Sequence, residues 1–143
     1  MVVRPPVAQQ AAQLRDAIAR LNRRLRQARP VGELTMTQIS ALTSLELAGP
    51  LTPRELAEAE RVQPPSMTKI IAKLEERGLV QRTRHPTDGR QVILSTTEAG
   101  RTAYVQVQRA REAWLVQRMD ELSQEERDTL LRAAEILHKI ARG

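Results

Sequence analysis

The change of periodicity at Gly78 constrains this fold more than any other feature of the sequence. Before Gly78, apolar residues recur at the three- and four-residue steps of one helix face: Met67, Ile70, Ile71 and Leu74. After Gly78, residues 79–84 and 91–95 read as two short strands, and Asp88-Gly89 between them is a strong hairpin signal. The sequence therefore predicts a helix that ends at Gly78 and leads at once into a β-hairpin.

A shorter helix is predicted directly before this one. Thr52 and Glu55 have the spacing of a capping box, and Pro53 suits the first helical position. This helix should end near Glu60. Pro64-Pro65 must lie at the start of the next helix, because a proline further inside would cost about 3 kcal/mol. A short helix, a tight turn and a longer helix form a helix–turn–helix, which the hairpin extends into a winged helix.

Amphipathic helices are predicted on both sides of this core. An apolar stripe runs along residues 8 to 28 and consists of Ala11, Leu14, Ile18, Leu21, Leu25 and Ala28. Pro30 and Gly32 should break that helix. Capping boxes then open a helix at Thr35 and the last helix at Ser123.

These stripes suggest how the chain is organised. A winged helix of about 65 residues has little surface to bury against them, so a second copy of the chain is the expected partner. We therefore predict an N-terminal dimerisation helix in 1–34, a winged helix–turn–helix in 35–96 and C-terminal dimerisation helices in 97–143, all within a single structural unit.

The net charge of +6 is unevenly distributed. Residues 1–34 carry seven arginines against two acidic residues, and residues 61–90 carry seven Lys or Arg against three. Clustered positive charge suits a polyanion, although charge alone is equally consistent with solubility.

Other classes of protein are disfavoured. With no cysteine there is no disulfide and no thiolate metal site. A glycine-rich phosphate loop, a cluster of metal ligands and a nucleophile–base pair are all missing, so we expect no enzyme, no cofactor and no metal. An apolar run of about 18 residues and a secretory signal are also missing, so we expect a cytoplasmic protein that does not contact membranes.

Three segments, in order, resemble the MarR family of bacterial transcription regulators, named for multiple antibiotic resistance. They are Glu55-Leu56-Ala57, then Pro65 to Lys69 with Leu74 to Arg82, and finally Asp88-Gly89-Arg90 with Leu94 to Gly100. The resemblance implies a mainly α fold with a small β-hairpin wing, in which a winged helix–turn–helix core adjoins a helical dimerisation region. It also implies a homodimer that binds double-stranded DNA and acts as a repressor at a pseudo-palindromic operator.

Two positions depart from the family pattern. Glu60-Arg61 occupies the turn where the family favours Leu-Gly, and a left-handed backbone at Arg61 would cost on the order of 1 kcal/mol. Thr96 stands where a leucine is usual.

The expected DNA contacts lie on the second helix of the motif and on the wing. From that helix we predict major-groove and phosphate contacts by exposed residues: Pro65, Ser66, Thr68, Lys69 and Lys73. Arg90 should enter a narrow minor groove, and by the resemblance Asp88 braces its guanidinium.

Further phosphate contacts are predicted from the wing and from helix N-termini. They are Arg82, Arg84, His85, Thr37 and Thr52.

Simpler interpretations remain open for several of these residues. Ser66 would only cap its helix, the lysines would form a solvated face, and Arg90 would be an exposed residue of an ordinary turn. For the Arg20–Arg29 cluster a solvated face is favoured over phosphate contact, and His85 is a loop residue or, less simply, a titrating sensor. An architectural DNA-binding protein with little sequence preference is the alternative function.

The resemblance also implies control by a small aromatic or anionic effector. Tyr104 and Trp114 are the only aromatic residues, and their helical spacing favours core packing over ligand binding. The missing cysteines exclude the thiol-oxidation sensing of one branch of the family.

Overall fold

The computed structural model describes residues 2–29 and 34–143, and these form six α-helices and a two-stranded antiparallel sheet. The elements in chain order are α1 (Val7–Gln27), α2 (Met36–Ala48), α3 (Pro53–Glu60), α4 (Pro64–Glu76), β1 (Val80–Arg84), β2 (Val92–Thr96), α5 (Glu98–Asp120) and α6 (Gln124–Arg142). The predicted fold class is confirmed. Pro30 and Gly32, predicted to break the first helix, lie outside the described residues.

Reciprocal capping boxes open three of the helices, as predicted. The hydroxyl oxygens of Thr35, Thr52 and Ser123 each accept the backbone N–H three residues later, at 3.1 to 3.2 Å. The Gln or Glu at that later position accepts the N–H of the cap residue in return. Each box satisfies two donors that a helix start would leave unpaired, which is why the helices begin where they do.

The winged-helix unit comprises residues 29–109, one of two compact units in the chain. Its core is a cluster of buried residues from α2, α3, α4 and the hairpin: Ala41, Leu42, Leu45, Leu56, Ala57, Met67, Ile71, Leu74, Val80 and Leu94. Met67, Ile71 and Leu74 supply the buried face of α4, and Ile70 packs against the cluster, which confirms the predicted periodicity. Tyr104 of α5 also packs against this core, in agreement with the expectation for that aromatic residue.

The hairpin gains a further pairing from the loop before α3. Within the hairpin, Arg82 lies opposite Leu94 and Val80 opposite Thr96. Leu51 then forms an isolated antiparallel bridge with Leu94, through N–H···O distances of 3.1 and 2.7 Å. This bridge, which the sequence did not predict, attaches β2 to the segment that leads into α3.

Tight turns connect the hairpin to its neighbouring helices. Gly78 has the predicted left-handed backbone, with φ of 72°. Thr97 donates its hydroxyl to the Gly78 carbonyl (2.6 Å) and its N–H to the Leu79 carbonyl (3.1 Å). A Cβ at Gly100 would collide with the Leu79 carbonyl, so only glycine lets the start of α5 approach this closely.

The flanking-helix unit comprises residues 1–28 and 110–143. No residue of α1 or α6 is buried. On α1 the stripe residues Leu14, Ile18 and Leu21 are 44 to 46% exposed, and on α6 the stripe residues Leu130 and Ile140 are 45 and 62% exposed. The predicted apolar stripes are therefore present and largely open to solvent. Within the described ranges, no helix is both long and apolar enough to cross a lipid bilayer.

Candidate nucleic-acid interface

The turn between α3 and α4 determines how α4 is presented. Arg61 has φ 54° and ψ 44°. This is the left-handed conformation considered above for Arg61, which stands where the family favours glycine. Its N–H donates to the Glu58 carbonyl (3.2 Å), and the Val62 N–H donates to the Ala57 carbonyl (3.0 Å). A side chain in this conformation costs on the order of 1 kcal/mol, which neighbouring contacts must offset.

Glu60 supplies such a contact beside Arg61. Its Oε2 accepts the Ser40 hydroxyl (3.0 Å) and its Oε1 accepts the Ser44 hydroxyl (3.1 Å). The carboxylate thereby fixes the end of α3 to α2. Because these serines lie far from Glu60 in sequence, no local pattern indicated this role.

The outer face of α4 presents the predicted contact residues to solvent. Pro65, Ser66, Thr68, Lys69 and Lys73 are all exposed. The N-cap of α4 is Gln63, so Ser66 does not cap the helix, which argues against its simpler interpretation. Within the described residues the Ser66 hydroxyl has no hydrogen-bond partner, and this leaves it able to donate to DNA.

The remaining polar groups of this face differ in what they can offer. The Thr68 hydroxyl donates to the Pro64 carbonyl (3.0 Å), so it presents lone pairs and a methyl group. Lys73 lies 3.4 Å from a Glu76 carboxylate oxygen in an exposed ion pair, which is worth little. Lys69 forms no ion pair within the described part of the chain. Of these side chains, Lys69 is the cation most available to a phosphate.

The wing loop is organised around the His85 ring rather than a left-handed glycine. Gly89, part of the hairpin signal, does not have a positive φ. Instead, His85 Nδ1 accepts the N–H groups of Asp88 (3.1 Å) and Thr87 (3.2 Å). The His85 N–H donates to the Gln91 carbonyl (3.0 Å) and closes the loop. The ring nitrogen therefore holds the tip of the wing as a hydrogen-bond acceptor.

Asp88 and Arg90 are close neighbours at this tip. An Asp88 carboxylate oxygen accepts the Arg90 backbone N–H (3.1 Å) and lies 3.6 Å from Arg90 Nε. The brace is thus a backbone hydrogen bond with an ion pair, and the Arg90 side chain is 95% exposed. Arg84 is exposed as well. Its Cδ would lie 3.7 Å from a Cβ added to Gly89, which is an ordinary van der Waals contact. Both guanidinium groups are free to approach a polyanion.

Arg82 differs from the other wing arginines. Its Nε donates to both carboxylate oxygens of Glu75 at 2.9 Å, and an Nη contacts the same carboxylate. These hydrogen bonds raise the pKa of the Arg82 guanidinium above its ordinary value, so it stays charged at any working pH. The phosphate contact predicted for Arg82 would have to compete with this ion pair.

Thr37 and Thr52 lie at helix N-termini, as expected, but in different environments. Thr37 is exposed in the first turn of α2. Thr52 is 8% exposed and its hydroxyl oxygen accepts the Glu55 N–H, so burial disfavours the predicted phosphate contact. The returning hydrogen bond from the Thr52 N–H lowers the pKa of Glu55 below its ordinary value of 4.5. The stabilisation from this cap is present above that value and is lost as the pH falls through the lowered pKa.

Glu46 accounts for the unusual threonine at the base of the wing. Its side chain is 11% exposed, accepts the Thr96 hydroxyl at 2.6 Å and lies 3.6 Å from Arg101 Nε. The carboxylate thus links α2, β2 and α5. A leucine at position 96 would leave this nearly buried acceptor without its hydroxyl donor.

The arginine cluster of α1 is engaged at several points within the flanking-helix unit. Arg20 pairs with Asp16 (2.9 Å), and the guanidiniums of Arg24 and Arg118 lie 5.8 and 5.2 Å from the Trp114 ring centroid. Trp114 is half-buried, and both guanidinium groups lie within cation–π distance of its ring. These contacts favour the structural interpretation of both Trp114 and the arginines that face it.

No group of three or more His, Cys, Asp or Glu side chains is arranged to hold a metal ion in the described ranges. The main features of the site are instead an exposed polar helix face and a cationic hairpin on one buried core. A winged helix of this kind is the scaffold of a DNA-binding regulator.

Comparison with known proteins agrees with this class. Residues 34–92 match the MarR family. An HTH-type transcriptional regulator from Mycobacterium tuberculosis is 45% identical over 130 residues, which span 91% of each chain. The HTH-type transcriptional repressor MdtR from Bacillus subtilis is 33% identical over 77% of this chain and 69% of its own.

Solved structures give the same result. A transcriptional regulator from Pseudomonas aeruginosa superposes with a TM-score of 0.80 at 32% identity, over 95% of this chain and 96% of the other. A MarR family protein from Bacillus stearothermophilus gives 0.76 at 27% identity, over 96% of both chains. The chain belongs to the MarR family of winged helix–turn–helix transcription regulators.

Proposed function

We propose that this protein is a homodimeric repressor that recognises a pseudo-palindromic operator with half-sites about 10 base pairs apart. In each half-site α4 reads the major groove and Arg90 enters the adjacent minor groove. The relative MdtR is itself described as a repressor.

One observation carries this proposal. The first two turns of α4 expose polar side chains while Met67, Ile71 and Leu74 are buried on the opposite face, and the wing beside it exposes the guanidinium groups of Arg84 and Arg90. A face of this kind has the donors needed for base edges and phosphates. Pro65, Ser66, Thr68 and Lys69 are proposed to contact the major groove and its flanking phosphates. Lys73, Arg84 and Thr37 would add phosphate contacts, with Asp88 bracing Arg90.

Dimerisation is proposed for the segments 1–34 and 97–143, on either side of the winged helix at 35–96. The exposed apolar stripes of α1 and α6 support it, since apolar side chains aligned along an exposed helix face are typical of an interaction site. Release from DNA by a small aromatic or anionic effector stays a prediction from the family resemblance.

The test is selection of binding sites from a random duplex library by the purified protein, with light scattering to measure its mass. A two-fold symmetric consensus, bound at least about a thousandfold more tightly than bulk DNA, together with a dimeric mass, is expected. Enrichment without any consensus would favour the architectural alternative. A monomer, or failure to retain duplex DNA at low salt, would overturn the proposal.

A further inference from the structure

We propose that Glu75 and Arg82 act as positioning residues that set the wing relative to α4, so that Arg82 serves DNA recognition through Glu75 rather than by touching phosphate. This inference rests on the proposed function, because the geometry it fixes is that between the two DNA-contacting elements.

The hairpin has few other side-chain contacts to hold its angle. Only Val80 of β1 is buried, and the four residues after it are exposed. Among the described residues, the Glu75–Arg82 pair supplies the side-chain hydrogen bonds that join β1 to α4. The rest of the hairpin is held through β2, by its bridge to Leu51 and by the hydrogen bond from Thr96 to Glu46.

The geometry of the pair suits this role. Both carboxylate oxygens of Glu75 accept from Arg82, and the two side chains are 30 and 42% exposed. The Arg82 Nε–H is shared between both carboxylate oxygens and an Nη lies 2.9 Å from one of them, so several short charge-assisted contacts restrain the guanidinium more than a single exposed ion pair would. Arg82 is also opposite the fully buried Leu94, so a restraint at Arg82 acts at the centre of the sheet.

The angle between α4 and the wing affects DNA affinity because both elements contact the DNA. Contacts of α4 and of Arg90 must fit adjacent grooves at the same time, and loss of either reduces the gain from the other. A wing free to change its angle would have to be ordered on binding, which lowers affinity without removing any contact.

Glu75→Gln separates this role from a phosphate contact, because the two predict opposite signs. If Arg82 binds phosphate, Glu75→Gln removes a negative charge, frees the arginine and tightens binding. If the pair positions the wing, Glu75→Gln weakens binding to the selected operator by about threefold to thirtyfold, which lies within the range for coupled neighbouring groups. The charge swap Glu75→Arg with Arg82→Glu should restore affinity to within about threefold, although it leaves no cation at position 82.

Glu76→Gln is the matched control. Glu76 lies next in the same helix and pairs with Lys73 in a more exposed ion pair, without contact to the wing. Its loss should leave operator affinity unchanged or slightly raised. Thermal denaturation of each variant confirms folding.

A dye at the tip of the wing tests the mechanism without DNA. The chain has no cysteine, and a Cβ at Gly89 would meet only ordinary contacts, so Gly89→Cys gives a single, tolerated label. Time-resolved anisotropy of that label should show greater tip motion in Glu75→Gln and Arg82→Gln, and no change in Glu76→Gln. Unaltered tip motion in Glu75→Gln, or equal or tighter operator binding, overturns the inference even when the wild type binds its operator. A wild type that selects no operator refutes the proposed function instead, and the anisotropy still tests the positioning.

Discussion

The winged-helix unit and the flanking-helix unit differ in how much of their apolar surface they bury. The first encloses ten residues in a cluster whose members are at most 4% exposed. In the second, neither α1 nor α6 buries a single residue, although both carry apolar stripes. A core of its own lets a unit fold without help, whereas an exposed stripe of this length implies a missing partner surface. The comparison predicts that the stability of the first unit and the proposed assembly through the second can be varied independently.

Truncation of the core should give the largest effect. Leu42 is 1% exposed, and Leu42→Ala should lower the free energy of unfolding by about 2–5 kcal/mol, from lost burial and the cavity left behind. Urea denaturation measures this change. Leu47→Ala is the control, since Leu47 lies in the same helix and is 75% exposed, so a change of less than about 0.5 kcal/mol is expected. Equal losses in the two variants would show that the core does not carry the stability of the unit.

A charge on the α1 stripe should act on assembly instead. Ile18→Glu would bury a carboxylate from each copy, at roughly 1 kcal/mol or more apiece, and raise the dimer dissociation constant at least about thirtyfold. Sedimentation over a range of concentrations measures it. Gln13→Glu introduces the same charge off the stripe and should leave the dimer intact. A dimer that tolerates Ile18→Glu would place the interface elsewhere.

Removal of Arg90 should leave both stability and assembly unchanged while weakening DNA binding. Arg90→Ala is expected to reduce operator affinity by roughly 1–3 kcal/mol, the range for one good contact. A mobility-shift titration measures the loss. Arg132→Ala removes one positive charge from exposed α6 and controls for net charge. Similar affinities for the two variants would eliminate the minor-groove role.

The left-handed turn residue should respond in the stabilising direction. Arg61→Gly relieves a positive φ and is expected to raise the free energy of unfolding by up to about 1 kcal/mol, partly offset by the greater freedom of glycine when unfolded. Arg61→Ala loses the side chain but keeps the strain, so the difference between the two variants isolates the backbone term. If chemical denaturation gives Arg61→Ala a larger free energy of unfolding than Arg61→Gly, the assignment of strain to this backbone is wrong.

The smallest change is expected from a single phosphate contact. Lys69→Ala should reduce the slope of log affinity against log salt concentration by about one unit, because one fewer counterion is released. Binding titrations at several salt concentrations measure the slope. Lys139→Ala, in the last turn of α6, should keep the wild-type slope. If Lys69→Ala keeps it too, this lysine does not contact phosphate.

Local signals predicted most of the fold. The capping boxes at Thr35, Thr52 and Ser123 and the stop at Gly78 each depend on residues within a few positions of one another. Their hydrogen bonds could therefore be inferred from spacing alone. The exposed face of α4 followed in the same way from its buried face.

The carboxylates that hold the site together could not be predicted. Glu60, Glu75 and Glu46 each bind a partner on another element, and the hydrogen bond from Thr96 to Glu46 spans 50 residues of sequence. Such pairs depend on how helices and strands come together, which periodicity does not specify. The structure of the wing loop was not predicted either. The Asp88-Gly89 pair suggested a turn built on glycine, whereas His85 Nδ1 holds the loop by accepting backbone N–H groups.

The bridge between Leu51 and Leu94 leaves the hairpin with one open side. Because β2 pairs with β1 on one side and, at Leu94, with Leu51 on the other, β1 is the strand with an edge that no other strand pairs with among the described residues. An unpaired edge of this kind can recruit a strand from another molecule, and bulky positive charge is a common safeguard. Arg82 and Arg84 supply that charge on β1. Exchange of both for small apolar residues should therefore make the protein prone to aggregation even where its fold is unaltered.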